Sequence, residues 1–65
     1  MIHLTKLDGK RILVGMETVK YIESIPDTLI HFLNGETVIV KEPLPDVLER
    51  VKEFKRELLH PAPSH

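Results

Sequence analysis

The sequence predicts an α+β domain: a five-stranded antiparallel β-meander, as an open sheet or a small barrel, followed by one C-terminal α-helix. Three observations predict it. Short runs rich in Val, Ile, Leu and Thr are separated by the turn pairs Asp8-Gly9 and Asn34-Gly35, the strongest local hairpin signals. Pro26-Asp27 supplies a further turn between two such runs, because proline presets φ and aspartate suits turns. After Lys41 the apolar spacing lengthens from two residues to between three and four, the change from strand to helix. With 65 residues, of which 42% are apolar, the chain suits one small domain with a core and is too apolar for a disordered tail.

The elements follow in order. Residues 1–7 form the first strand and residues 10–14 the second, joined at Asp8-Gly9. A type I′ turn there needs positive φ at both central residues, which Asp and Gly tolerate. Gly15-Met16 is a weaker break, and residues 18–25 form the third strand. Residues 28–33 and 36–41 form the fourth and fifth strands around Asn34-Gly35. Pro43 and Pro45 end the meander, and Asp46 with Glu49 has capping-box spacing, so Asp46 is the expected N-cap. The helix then runs from 46 to 59, about 21 Å. Leu44, Val47, Val51, Phe54 and Leu58 step by 3, 4, 3 and 4, an apolar stripe that fits a core-facing helix better than a coiled-coil seam. Glu49–Lys52 and Glu53–Arg56 are expected helix-supporting pairs. Residues 1–59 are thus read as one domain, and residues 60–65, with Pro61 and Pro63, as a flexible tail.

Alternation assigns faces. In the fourth strand Thr28, Ile30 and Phe32 share one face, and Leu29, His31 and Leu33 share the other. Both sets are largely apolar, and one helix covers only one face of a sheet. The second face must curl into a barrel or meet another molecule, so a homo-oligomer is expected. Leu29, His31 and Leu33 on the sheet, and Val47, Val51, Phe54 and Leu58 on the helix, are the candidate contact residues.

Chemistry is sparse. Nine Lys+Arg against ten Asp+Glu leave a net charge of −1, against the basic balance that duplex binding requires. There are no cysteines, hence no disulfide framework or thiolate site. No apolar run approaches the 18 or more residues of a membrane span, and residues 1–6 lack a signal-peptide pattern. The three glycines stand alone and form no phosphate-binding loop. His3, His31, His60 and His65 show no metal-ligand spacing. Ser24 and Ser64 sit in no nucleophile motif. No catalytic, cofactor or metal residues are expected, and a chain this short hardly encloses a substrate pocket.

The run Met1-Ile2-His3-Leu4-Thr5-Lys6-Leu7-Asp8-Gly9 resembles the opening of the FlbD/SwrD family of small flagellar and swarming-motility proteins. So do Ile25-Pro26-Asp27-Thr28, then Asn34-Gly35, then Val40-Lys41-Glu42. The similarity covers nearly all of residues 1–57 and departs at Gly15-Met16, where the family usually carries an asparagine. It implies a non-enzymatic cytoplasmic accessory near the inner-membrane face of the flagellar motor, acting on a motor protein, with the stator the natural partner. Gly9, Pro26, Asp27, Asn34 and Gly35 have structural explanations as turn residues. Glu42 does not, and joins the candidate contact residues. A second likeness runs through Val19-Lys20-Tyr21-Ile22-Glu23, Asn34-Gly35-Glu36 and residues 44–51, which are similar to the first part of LytTR DNA-binding domains. Those domains carry basic DNA-contacting loops that this sequence does not show. The likeness is read as shared architecture, with a small transcription-associated regulator kept as the alternative function.

Overall fold

The computed structural model describes residues 1–59. The fold is α+β, with five antiparallel strands and one C-terminal helix. The strands are β1 (Ile2–Thr5), β2 (Arg11–Val14), β3 (Val19–Glu23), β4 (Thr28–Phe32) and β5 (Thr37–Val40), and the helix is α1 (Leu44–Leu59). The tail expected over residues 60–65 lies outside the described residues.

The strands divide into two open sheets, β1-β2 and β3-β4-β5. A single antiparallel bridge, Lys6 to Val40, links them, and the Lys41 N–H donates to the Thr5 carbonyl at 2.8 Å. β1 thus lies beside β5 rather than beside β3. A 3-10 turn at Met16–Thr18 carries the chain from one sheet to the other. Lys20 is the extra residue of a β-bulge, since Val19 pairs with Phe32 while Tyr21 pairs with His31.

Both glycine hairpins are built alike. The Gly9 N–H donates to the Lys6 carbonyl, and the Lys6 N–H to the Lys10 carbonyl. The Gly35 N–H donates to the Phe32 carbonyl, and the Phe32 N–H to the Glu36 carbonyl. Among the described residues only Gly9 and Gly35 have positive φ, 91° at each, so Asp8 and Asn34 do not take the second positive φ that a type I′ turn needs. Instead each accepts, through its side-chain oxygen, the N–H two residues on: Lys10 to Asp8 and Glu36 to Asn34, both 2.9 Å. The glycine closes a turn that precedes it, in the longer hairpin loop. The third turn contains a cis Ile25–Pro26 peptide bond.

The core is Ile2, Leu4, Val14, Ile30, Val40 and Val47, with Ile12, Val19, Ile22, Phe32, Val38, Val51 and Phe54 packed around it. Both sheets and the helix contribute, and α1 lies chiefly against β1. The Ile30 face of β4 points inward, as does its partner Val38 on β5.

The helix begins two residues earlier than expected. Asp46 and Val47 donate their N–H groups to the Pro43 carbonyl at 2.9 and 3.2 Å. Asp46 is therefore in the first turn and not the N-cap. Pro45 fits inside that turn because its missing N–H would have no helical acceptor. The Asp46 carboxylate still faces the positive end of the helix dipole. The expected Glu49–Lys52 and Glu53–Arg56 pairs are not among the ion pairs of the described residues, which are Glu42–Arg50 and Glu23–His31.

Candidate functional site

Two polar constellations stand out, and they differ in kind. The first is a clamp where the two sheets meet the helix. Glu42, 9% exposed, lies between β5 and α1. Its Oε1 accepts the Thr5 N–H at 2.9 Å, and its Oε2 accepts the Thr5 hydroxyl at 2.8 Å. Oε2 also accepts Arg50 Nη1 at 2.9 Å, and the same nitrogen donates to the His3 carbonyl at 2.6 Å. Desolvation alone would raise the Glu42 pKa. The hydrogen bonds from Thr5 and Arg50 outweigh it and lower the value from 4.5 to about 2. Every buried side-chain polar atom among the described residues has a partner.

Glu42, named from the sequence as a candidate contact residue, has an internal role in the structure. Its carboxylate is occupied internally and fastens β1 to the β5–α1 connection and to the helix. Both stretches that end in this clamp, Met1-Ile2-His3-Leu4-Thr5 and Val40-Lys41-Glu42, are among those that carry the family resemblance. No local spacing announced it, because Thr5 and Glu42 are 37 residues apart.

The second constellation is the outer face of β3-β4-β5. Register places Tyr21 beside His31, Glu23 beside Leu29, Leu29 beside Ile39 and His31 beside Thr37. The Tyr21 and His31 rings stack with centroids 4.2 Å apart and an interplanar angle of 17°. His31 Nε2 contacts a Glu23 carboxylate oxygen, and Nδ1 lies 3.4 Å from the Thr37 hydroxyl. One ring thus ties together three strands. Around it Tyr21 is 48% and Ile39 36% exposed, and Leu29 is half-buried. α1 packs at the opposite, core side of the sheet, so no element among the described residues covers this face.

The remaining expected contact residues fall into three groups. Leu29 and His31 belong to the outer face, and Leu33, in the turn beyond β4, is exposed. Val47 is 0% exposed and sits in the core. Named as a candidate contact residue, it here faces inward, in line with the core-facing reading of the stripe. Val51 and Phe54 pack against the same core, whereas Leu58 is 67% exposed where the helix outruns the sheet. Alternation groups Thr37 with Ile39 on one face of β5, and the register with β4 puts that face beside Leu29 and His31, whereas Tyr21 and Glu23 reach it through the bulge at Lys20, which resets the register of β3.

Among the described residues, no group of three or more His, Asp or Glu side chains is arranged to hold a metal ion. A groove beside the helix is lined by Ile2, Thr5, Arg11, Arg50, Glu53 and Phe54, among others. Its one charged group close to a buried carboxylate, Arg50, is already engaged in the Glu42 clamp. No helix among the described residues is long and apolar enough to cross a membrane.

Searches of curated proteins and of solved structures return no match. The family profile of flagellar and swarming motility proteins, FlbD, matches residues 1–59. That span takes in both sheets, the clamp and the whole of α1, and so the chain belongs to the FlbD family of flagellar and swarming motility proteins.

Proposed function

We propose that the chain serves motility by protein contact and not by catalysis: it self-associates and supports the power of the flagellar motor from the cytoplasmic side, with the stator as its partner. One observation carries the contact reading. The outer face of β3-β4-β5 presents Tyr21, Leu29, His31 and Ile39 around an ordered ring cluster, and no element among the described residues covers it. Uncovered apolar patches on small domains mark association surfaces, and a sheet face of this kind suits a second copy. Self-association would present several copies of the helix at once, raising effective concentration at an oligomeric motor.

The test is the torque of single tethered cells that lack this gene, with filaments counted in the same cells. The expected result is a normal filament number with clearly reduced torque. Missing filaments together with little flagellin would overturn the motor reading in favour of a regulatory one.

A further inference from the structure

The exposed flank of α1 carries a pattern that neither the core nor the clamp uses. Leu48, Lys52, Lys55 and Leu59 recur at i, i+4, i+7 and i+11, the spacing that lines up side chains along one side of a helix for contact with another helix. All four are exposed, Leu48 at 48% and Leu59 at 75%. The helix's other apolar row, Val47, Val51 and Phe54, is spent on the core. Lys52 and Lys55 form no ion pair among the described residues. Asp46, Glu49, Glu53 and Glu57 form a separate acidic row at i, i+3, i+7 and i+11, of which Glu49 borders Lys52 three residues on without pairing with it among the described residues. The flank is thus a row with leucine at each end and two free ammonium groups in the middle.

We infer that this row docks a partner helix that carries two carboxylates between two apolar side chains. This deepens the contact reading above and rests on it, naming the chemistry of the motor-side partner. Charge and spacing select that occupant. A second copy offers no match, because its own acidic row carries no leucines to meet Leu48 and Leu59. An anionic lipid surface would take up a broad apolar face, which this helix spends on its own sheets, and would meet Glu49 beside the lysines. Unpaired lysines beside exposed leucines fit a partner that neutralises the centre and covers the ends.

The full chain, labelled with 15N, would be titrated with three helical peptides of the pattern Leu-x-x-x-Glu-x-x-Glu-x-x-x-Leu, the central pair being Glu-Glu, Gln-Gln or Lys-Lys. The Glu-Glu peptide is expected to shift the amides of residues 48–59 and to bind at least about tenfold more tightly than Gln-Gln. Lys52→Glu/Lys55→Glu, both exposed substitutions, is expected to reverse the preference toward the Lys-Lys peptide with the fold intact by circular dichroism. Shifts confined to the outer sheet face, no shifts with any peptide, or an unreversed preference would overturn the inference. Equal shifts with phosphatidylglycerol vesicles would replace the partner helix by a lipid surface, and loss of self-association in the variant would replace it by a second copy. All of these readouts are made in vitro, so they stand apart from the torque measurement. Lost peptide binding with a torque defect in the deletion strain would sink this row alone. Retained binding with normal torque would sink the motor reading alone.

Discussion

Glu42→Ala is expected to destabilise the domain by about 3 kcal/mol, a large share of what so small a fold holds. The substitution strands the Thr5 N–H and hydroxyl and removes the acceptor of Arg50. Leaving buried donors unmade costs about 1–3 kcal/mol, and charged partners add to it. Arg50 is 39% exposed and recovers water, which keeps the loss below that of a fully buried ion pair. Glu42→Gln is expected to cost about 2 kcal/mol, since an amide accepts one of these bonds while its NH2 opposes Arg50. Urea denaturation followed by circular dichroism measures both.

The clamp also sets a pH dependence whose sign is fixed. The carboxylate is held at about 2 in the folded chain against 4.5 ordinarily, so the unfolded chain binds its proton first as pH falls. The contribution is therefore complete above about pH 5 and is lost as pH drops toward 2. A depression of this size corresponds to about 2–3 kcal/mol once screening at Arg50 is allowed for. Wild-type stability is expected to fall across that window, and Glu42→Gln is expected to flatten the fall. An unflattened curve would mean that other carboxylates set it.

The second large effect is at the core. Ile30, 1% exposed on the central strand β4, packs with Leu4, Val40 and Val47. Ile30→Ala is expected to cost about 3–4 kcal/mol through lost burial and the cavity left behind. Ile39, on the adjacent strand with its side chain on the opposite face, is 36% exposed. Ile39→Ala is expected to cost under about 1 kcal/mol in dilute protein. Because self-association stabilises by mass action, the cost at Ile39 is expected to rise with protein concentration while that at Ile30 stays constant. A concentration-independent cost at both sites would count against the outer face as the self-association surface.

Much of the architecture was legible because it is written locally. Asp8-Gly9 and Asn34-Gly35 mark the hairpins, and the alternation in β4 separates Ile30 from Leu29 and His31 without any knowledge of partners. Where reading failed, the determinant was either a competing local signal or a distant one. Asp46 and Glu49 carry the spacing of a capping box, yet the Pro43 carbonyl had already opened the helix. The joining of the two sheets depends on Thr5 meeting Lys41, and the burial of Glu42 depends on Thr5 and Arg50. A glutamate just past a strand reads as exposed until its partners are known. The outer face was half legible: Leu29 and His31 follow from alternation, whereas Tyr21 and Ile39 join them only through strand order and the bulge at Lys20.

If the protein supports motility through contacts made by the outer face of β3-β4-β5, charges placed on that face must weaken the motor. The most direct measurement is the torque of single tethered cells producing Leu29→Glu/Ile39→Glu in place of the wild type, at matched protein level and with filaments counted. Two carboxylates on the outer face leave the core untouched and oppose association there. The expected result is a normal filament number with torque reduced toward that of cells lacking the gene. Full torque from a folded, normally abundant variant would contradict it.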